Sequence, residues 1–448
     1  MNHELGTLLS AWWTIPFAGM LLSIALFPLF APHFWHRNYP KVSLFWALAL
    51  AIPFVWLHRG EATHHLLQVA LEEYLPFIMI LWALYIVASG ILVTGTLRGT
   101  PLQNTIILAV GAAVASWVGT TGASIVLIRP LLRAISKRRY RAHTVVFFIF
   151  LVSNVGGLLT PLGDPPLFLG FLHGVPFFWT LHLFPVMLLV AIPLLAIYYL
   201  LDTRYYKREP AQADAPPAGS IGVVGWQNFF YLAAVVGAVF ASGVVDLGHV
   251  SVLGVQCSTA GLARDAVLAA IGLSSLRTTP AAIHRDNQFS WGPIKEVAIL
   301  FAAIFVTMIP ALAILRAGEN GALRGVIELA REPAHYFWLT GALSSFLDNA
   351  PTYLTFFNTA LGALEPGKPE PEALAHLLTT HAHYLQAVSC GAVFMGANTY
   401  IGNAPNFMVK SIAEEAGVEM PSFFGYMIKY SIPVLIPLFL LVMLVFFR

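Results

Sequence analysis

The chain has 448 residues, 58% of them hydrophobic and only 10% Asp, Glu, Lys or Arg, with a net charge of +2. Soluble domains carry about 25% charged residues, so a mean hydropathy of +0.75 excludes a cytosolic enzyme with a membrane tail and requires a polytopic protein solvated by lipid. No Lys/Arg-rich tract with interleaved aromatics points to nucleic acid, and Cys257 and Cys390, the only cysteines, are too few for a disulfide scaffold or a thiolate metal site.

A bilayer crossing needs about 20 apolar residues, and runs near that length predict ten spans: 12–30, 42–57, 74–95, 143–172, 179–200, 226–246, 264–279, 293–315, 381–409 and 426–447. The first follows Glu4 rather than a basic segment, which reads as a retained span and not a cleaved leader. Two more stretches, 104–132 and 336–361, are interrupted by Gly119-Thr120-Thr121-Gly122 and by Ser344-Ser345-Phe346-Leu347-Asp348-Asn349-Ala350-Pro351. Each is too broken for one helix and reads as a re-entrant hairpin, because non-helical backbone at that depth survives only inside protein or beside water. The fold class expected is therefore an all-α polytopic membrane protein of about ten transmembrane helices plus two hairpins.

Arg37, Lys41, Arg98, the 137–141 cluster, Arg204, Lys207, Arg208, Arg277, Arg285 and Lys410 all fall beside loops that these spans put on one face. By the positive-inside rule that face is cytoplasmic and both termini lie outside. The segment 201–225, with a Pro/Ala-rich stretch, reads as a cytoplasmic linker between halves. The divisions are then 1–60 as N-terminal scaffold helices, 61–200 as repeat 1 and 226–448 as repeat 2.

The halves share the pattern T-x-[LI]-G-[DN]-x-P, as Thr160-Pro-Leu-Gly163-Asp164-Pro-Pro166 and Thr399-Tyr-Ile-Gly402-Asn403-Ala-Pro405. Each copy follows its hairpin, and each interrupts a span, 143–172 or 381–409. The span list runs the two copies in opposite directions, and the loop after hairpin 1 is basic where that after hairpin 2 is acidic (Glu365, Glu370, Glu372). Inverted repeats with interrupted helices at matching positions point to a secondary transporter with its site near the midplane.

Asp348, in the second hairpin tip, reads either as a cation or proton site or as a helix N-cap. Asp164 has the same two readings in a break where Pro161, Pro165 and Pro166 stop a regular helix and free its carbonyls. Asn154, Thr160, Asn398, Thr399 and Asn403 sit in the breaks, and Thr120, Thr121, Ser124, Ser345, Asn349 and Thr352 sit at the tips. Such oxygens, with the freed carbonyls, suit a hard cation such as sodium better than a transition metal, or else satisfy orphan backbone groups. Arg129 and Arg133 read as snorkelling anchors. Arg264-Asp265 and Lys295-Glu296 read as local salt bridges, Glu72 and Glu73 as interfacial acids, and 411–420 as a short surface helix. His381 and His383 lack a third metal ligand at a sensible spacing.

The residues Leu347-Asp348-Asn349-Ala350-Pro351 and Gly156-Gly157-Leu-Leu-Thr160-Pro161-Leu-Gly163-Asp164-Pro165-Pro166 resemble those of the ion transporter superfamily. That superfamily holds NhaD-type sodium/proton antiporters, arsenite permeases and sodium-coupled carboxylate carriers. The acid in the tip is similar to the antiporter and arsenite branch, whereas carboxylate carriers typically have Ser-Asn-Thr there. Thr120-Thr121 in hairpin 1 and Pro165-Pro166 after Gly163-Asp164 depart from the NhaD pattern. The resemblance implies a homodimer in a cell membrane with an elevator-type transport domain, no cofactor, and inorganic cations and protons as partners. Sodium (or lithium)/proton antiport is the function expected, with sodium-coupled citrate or dicarboxylate symport and arsenite-type efflux as alternatives. An intramembrane aspartyl protease would need Gly-x-Gly-Asp, but positions 161–164 read Pro-Leu-Gly-Asp.

Overall fold

A computed structural model describes residues 3–95, 98–209 and 222–448. The part of the expected linker at 210–221 lies outside the described residues. The chain is an all-α polytopic membrane protein. Its strands among the described residues make two short antiparallel ribbons, Leu92–Thr94 with Gly222–Val224 and His249–Val252 with Val255–Ser258. Large apolar side chains such as Leu44, Phe45, Ile52 and Trp56 stand exposed, as a lipid-facing surface requires.

The principal helices are α1 (Ile15–Phe30), α2 (Pro32–Gln68), α3 (Leu75–Ser89), α4 (Pro101–Val118), α5 (Thr120–Ala134), α6 (Ala142–Leu151), α7 (Pro165–Leu172), α8 (Phe184–Tyr206) and α9 (Gln227–Val244). They continue with α10 (Thr259–Thr278), α11 (Gly292–Arg316), α12 (Pro333–Phe346), α13 (Asn349–Leu364), α14 (Glu370–Thr379), α15 (Ala382–Met395), α16 (Ala404–Glu415) and α17 (Ile432–Phe446). A π-type turn, Val69–Tyr74, joins α2 to α3 into a helical run of 58 residues. Straight, that run would be about 87 Å long, nearly three hydrocarbon cores. It bends at Arg59, whose φ is 45°, and so supplies two crossings. Among the described residues eight helical runs are long and apolar enough to cross a membrane; α6–α7 and α15–α16 are apolar but broken into shorter pieces.

Both hairpins form where the polar interruptions fall. Hairpin 1 is α4–α5, turning at Gly119 (φ 80°); hairpin 2 is α12–α13, turning at Leu347-Asp348. Their arms reach a few residues beyond 104–132 and 336–361. Three expectations are corrected. Asp202 belongs to α8 and is fully buried, not part of a linker. The 411–420 segment is no separate helix, because α16 runs unbroken from the second break to Glu415. Lys295 and Glu296 do not pair, since Lys295 is exposed while Glu296 faces an internal cavity.

Packing gathers α1, α2, α3, α9, α10 and α11 into one bundle, and the hairpins, broken helices, α8 and α17 into another. They meet along α3 with α5 and along α11 with α13. The second arm of each hairpin therefore lies against the helix that precedes it in the chain.

Candidate functional site

Each break is shaped by a glycine pair and tied to its own hairpin by matching bonds. The Gly163 Cα lies so close to Gly157 that a Cβ would strike the Gly157 carbonyl, and Gly402 stands in the same relation to Gly396. The Thr160 hydroxyl donates to the Ser116 carbonyl, as that of Thr399 does to the Ser345 carbonyl. Ser116 Oγ donates to Gly156 O at 2.5 Å and Ser345 Oγ to Met395 O at 3.1 Å. Leu162 N and Ile401 N each donate to their threonine Oγ1 at 3.2 Å. Asp164 and Asn403, equivalent in the shared pattern, both precede the second half-helix in extended conformation, at φ −143° and −152°.

The two hairpin tips and the second break converge on Asp164 of the first, which is 1% exposed. Its Oδ1 accepts from Thr120 Oγ1 at 3.0 Å and from Asn403 Nδ2 at 3.0 Å, and its Oδ2 accepts from Asn349 Nδ2 at 2.5 Å. Hairpin 1, hairpin 2 and break 2 thus each send one residue to the carboxylate that break 1 supplies. No Lys, Arg or His among the described residues reaches it. The Asn349 Oδ1 is buried with no hydrogen-bond partner, an acceptor left free beside the carboxylate.

A second ring of amides braces this centre. Asn403 Nδ2 also donates to Ser153 O at 3.1 Å and reaches Asn154 Oδ1 at 3.3 Å. Asn154 Nδ2 donates to Ile149 O at 2.8 Å and to Asn406 Oδ1 at 2.7 Å, and Asn406 Nδ2 donates to Gly396 O and Thr399 O. Ser124 and Ser153 share a bond at 2.9 Å. Ser116, Ser153 and Asn406 had no motif to mark them in the sequence; only their spacing from the breaks could have drawn attention to them.

Asp348 sits apart from this carboxylate's bonds. Its Oδ1 accepts from Ala350 N at 3.1 Å and so caps α13, while its carbonyl accepts from Thr352 Oγ1 at 2.9 Å. It also lines a cavity of about 540 Å³ shared with Asn403, Arg129, Glu296 and Glu415. Asn398 donates to Ser345 Oγ at 2.9 Å, and Thr121 borders a separate cavity of about 100 Å³ that reaches Asp164. Arg129, expected to snorkel, faces the larger cavity with a buried Nε that has no partner. Arg133 instead donates to Val93 O at 2.7 Å.

Elsewhere, Arg264 and Asp265 pair at 2.8 Å, and Glu73 is drawn into a cluster with His173 and Glu370. No group of three or more His, Cys, Asp or Glu among the described residues could hold a metal ion. An all-oxygen set with one carboxylate suits a monovalent hard cation better than a transition metal.

A family model described as "Putative citrate transport" matches residues 6–447, nearly the whole chain. The chain belongs to that family and is a secondary transporter of the citrate-transporter type. No curated protein matches it.

Proposed function

We propose that this member of the citrate-transport family exchanges sodium or lithium ions for protons by alternating access. The observation that carries the reading is Asp164, a buried carboxylate bonded only to the neutral donors Thr120, Asn349 and Asn403. An ionised carboxylate without a cationic partner in such surroundings costs several kcal/mol, and one sodium ion or one proton removes that cost. The two compete for the same oxygens, and this exclusivity couples the fluxes. The free Asn349 Oδ1 supplies a further ligand oxygen.

Asp348 stands on the route in. Its cavity carries Asp348, Glu296 and Glu415 against the single guanidinium of Arg129, an excess of negative charge that draws cations. In this reading the hairpins, broken helices, α8 and α17 move as an elevator against the other bundle, within a homodimer in the cell membrane. The connection after α8 and the basic loops are cytoplasmic in this reading, so the cavity at Asp348 opens to the cytoplasm.

Arg129 supports a second reading, sodium-coupled citrate symport, because it offers an anion a positive charge in the same cavity. Proteoliposomes with a preset pH gradient and a pH-sensitive dye separate the two. Antiport predicts that sodium or lithium collapses the gradient, potassium and citrate do not, and Asp164→Asn abolishes the response. Sodium-dependent uptake of labelled citrate with no cation-driven collapse would establish the symporter instead.

A further inference from the structure

On the face opposite the Asp348 cavity, a further cavity of about 710 Å³ lies between the two bundles. At its edge His173, in the turn after α7, donates its Nδ1–H to the Glu370 carboxylate at the start of α14, Nδ1 to Oε1 2.6 Å. The other imidazole nitrogen, Nε2, faces Glu73 Oε2 across 3.8 Å, and neither of those buried atoms has a hydrogen-bond partner. The His173 side chain is 9% exposed and packs on Phe357. Glu73 belongs to the bundle of α2, α3 and α11, whereas His173 and Glu370 belong to the bundle of hairpins and broken helices. The cluster therefore straddles the seam. Nothing in the route through Asp348 and Asp164 uses it.

We infer that Glu73, His173 and Glu370 form a proton-binding site on this outer seam, whose occupancy holds the two bundles in the arrangement that opens the Asp348 cavity. With His173 protonated, one imidazolium lies between two carboxylates. Without that proton, the Glu73 and Glu370 carboxyl groups face each other through a neutral ring and lose the cation that favours their ionised forms, which burial already opposes at Glu73.

The other charged groups facing the cluster are few. Glu72 lies beside Glu73 and adds negative charge; Arg316, at the end of α11, faces Glu370 and adds positive charge. His65, Arg264 and Asp265 border the same cavity. Burial pulls His173 down, but the carboxylates of Glu370 and Glu73 outweigh it and raise it above the ordinary imidazole value. Burial likewise opposes ionisation of Glu370, yet His173 and Arg316 bring it down to about 2. A raised imidazole holds its contribution at acid and neutral pH and loses it as pH climbs through the raised value. The latch is thus closed at low outer pH and released at high outer pH.

The inference rests on the alternating-access part of the proposed function but not on which ion is carried. It is tested with the full chain in inside-out vesicles, in which Cys257 and Cys390 are replaced by Ser and Ser411, which lines the Asp348 cavity, is replaced by Cys. With sodium and lithium absent from both sides and the outside held at pH 7.5, labelling of Ser411→Cys by a membrane-impermeant thiol reagent reads the population open to that cavity. The expected result is labelling about fivefold or more faster at lumenal pH 6 than at pH 9, the size of an ordinary coupling. Both His173→Gln and Glu73→Gln should flatten that dependence. A parent rate independent of lumenal pH, or an unchanged dependence in both variants, would overturn it. Loss of sodium/proton exchange with the pH-dependent labelling intact would overturn the antiport reading and leave the latch standing.

Discussion

Asp348 serves two ends that substitution can separate. Its carboxylate caps α13 through Ala350 N and also lines the cavity. Asn caps a helix about as well as Asp, so Asp348→Asn should leave the thermal unfolding midpoint in detergent unchanged while ion-driven flux falls to that of empty vesicles. Asp348→Ala should lose flux and also about 1 kcal/mol of stability. Parent-like flux in the Asn variant would reduce Asp348 to a cap. The threonines behave otherwise, since Thr160 and Thr399 spend their hydroxyls on the Ser116 and Ser345 carbonyls. Thr160→Val and Thr399→Val should each cost about 1–3 kcal/mol through an unsatisfied buried acceptor, seen as matched drops in unfolding midpoint with ion selectivity retained. Unequal drops would contradict the equivalence of the two breaks. Asp164, Asn349, Asn403 and Thr120 were legible as candidates because polar residues in apolar runs stand out. That they meet was not, since Asn349 and Asn403 reach Asp164 across 185 and 239 residues of chain, and no periodic pattern encodes such a distance.

Among the elements, the breaks and hairpin tips were legible because Gly and Pro interrupt long apolar runs, and a stopped helix leaves its mark in composition. The bend at Arg59 was not, because a positive φ at a non-glycine residue has no sequence signature. The anchor of hairpin 1 was missed for a different reason. Asp202 looked like the start of a charged linker, yet it is fully buried at the end of α8. There it receives Arg138 at 2.5 Å, His143 at 2.7 Å, Asn104 at 3.2 Å and Tyr198 at 3.1 Å. Arg138, His143 and Asn104 come from the loop after α5, the start of α6 and the base of α4, and Tyr198 from α8 itself, so one carboxylate fastens both ends of the hairpin to α8. Removing one partner of a buried pair strands the other charge and costs about 3–5 kcal/mol. Arg138→Leu should lose stability on that scale, measured by thermal unfolding in detergent, and adding Asp202→Asn should recover part of it. A loss no larger than at an exposed ion pair would contradict this role.

At the scale of the whole molecule, two cavities approach from opposite faces and differ in reach. The one of about 540 Å³ touches Asp348 and Asn403, whereas the one of about 710 Å³ ends at the His173 cluster. One-sided access to a polar centre is what the proposed alternating access requires. The central claim is that a cation and a proton compete for Asp164. It is tested most directly by adding sodium chloride to the purified protein in weakly buffered detergent near neutral pH and following a pH dye, with choline chloride as the control. The account predicts that sodium binding releases protons, saturating as the ion is added, and that Asp164→Asn, folded and monodisperse, releases none. Sodium binding without proton release in the parent, or equal release in Asp164→Asn, would contradict it.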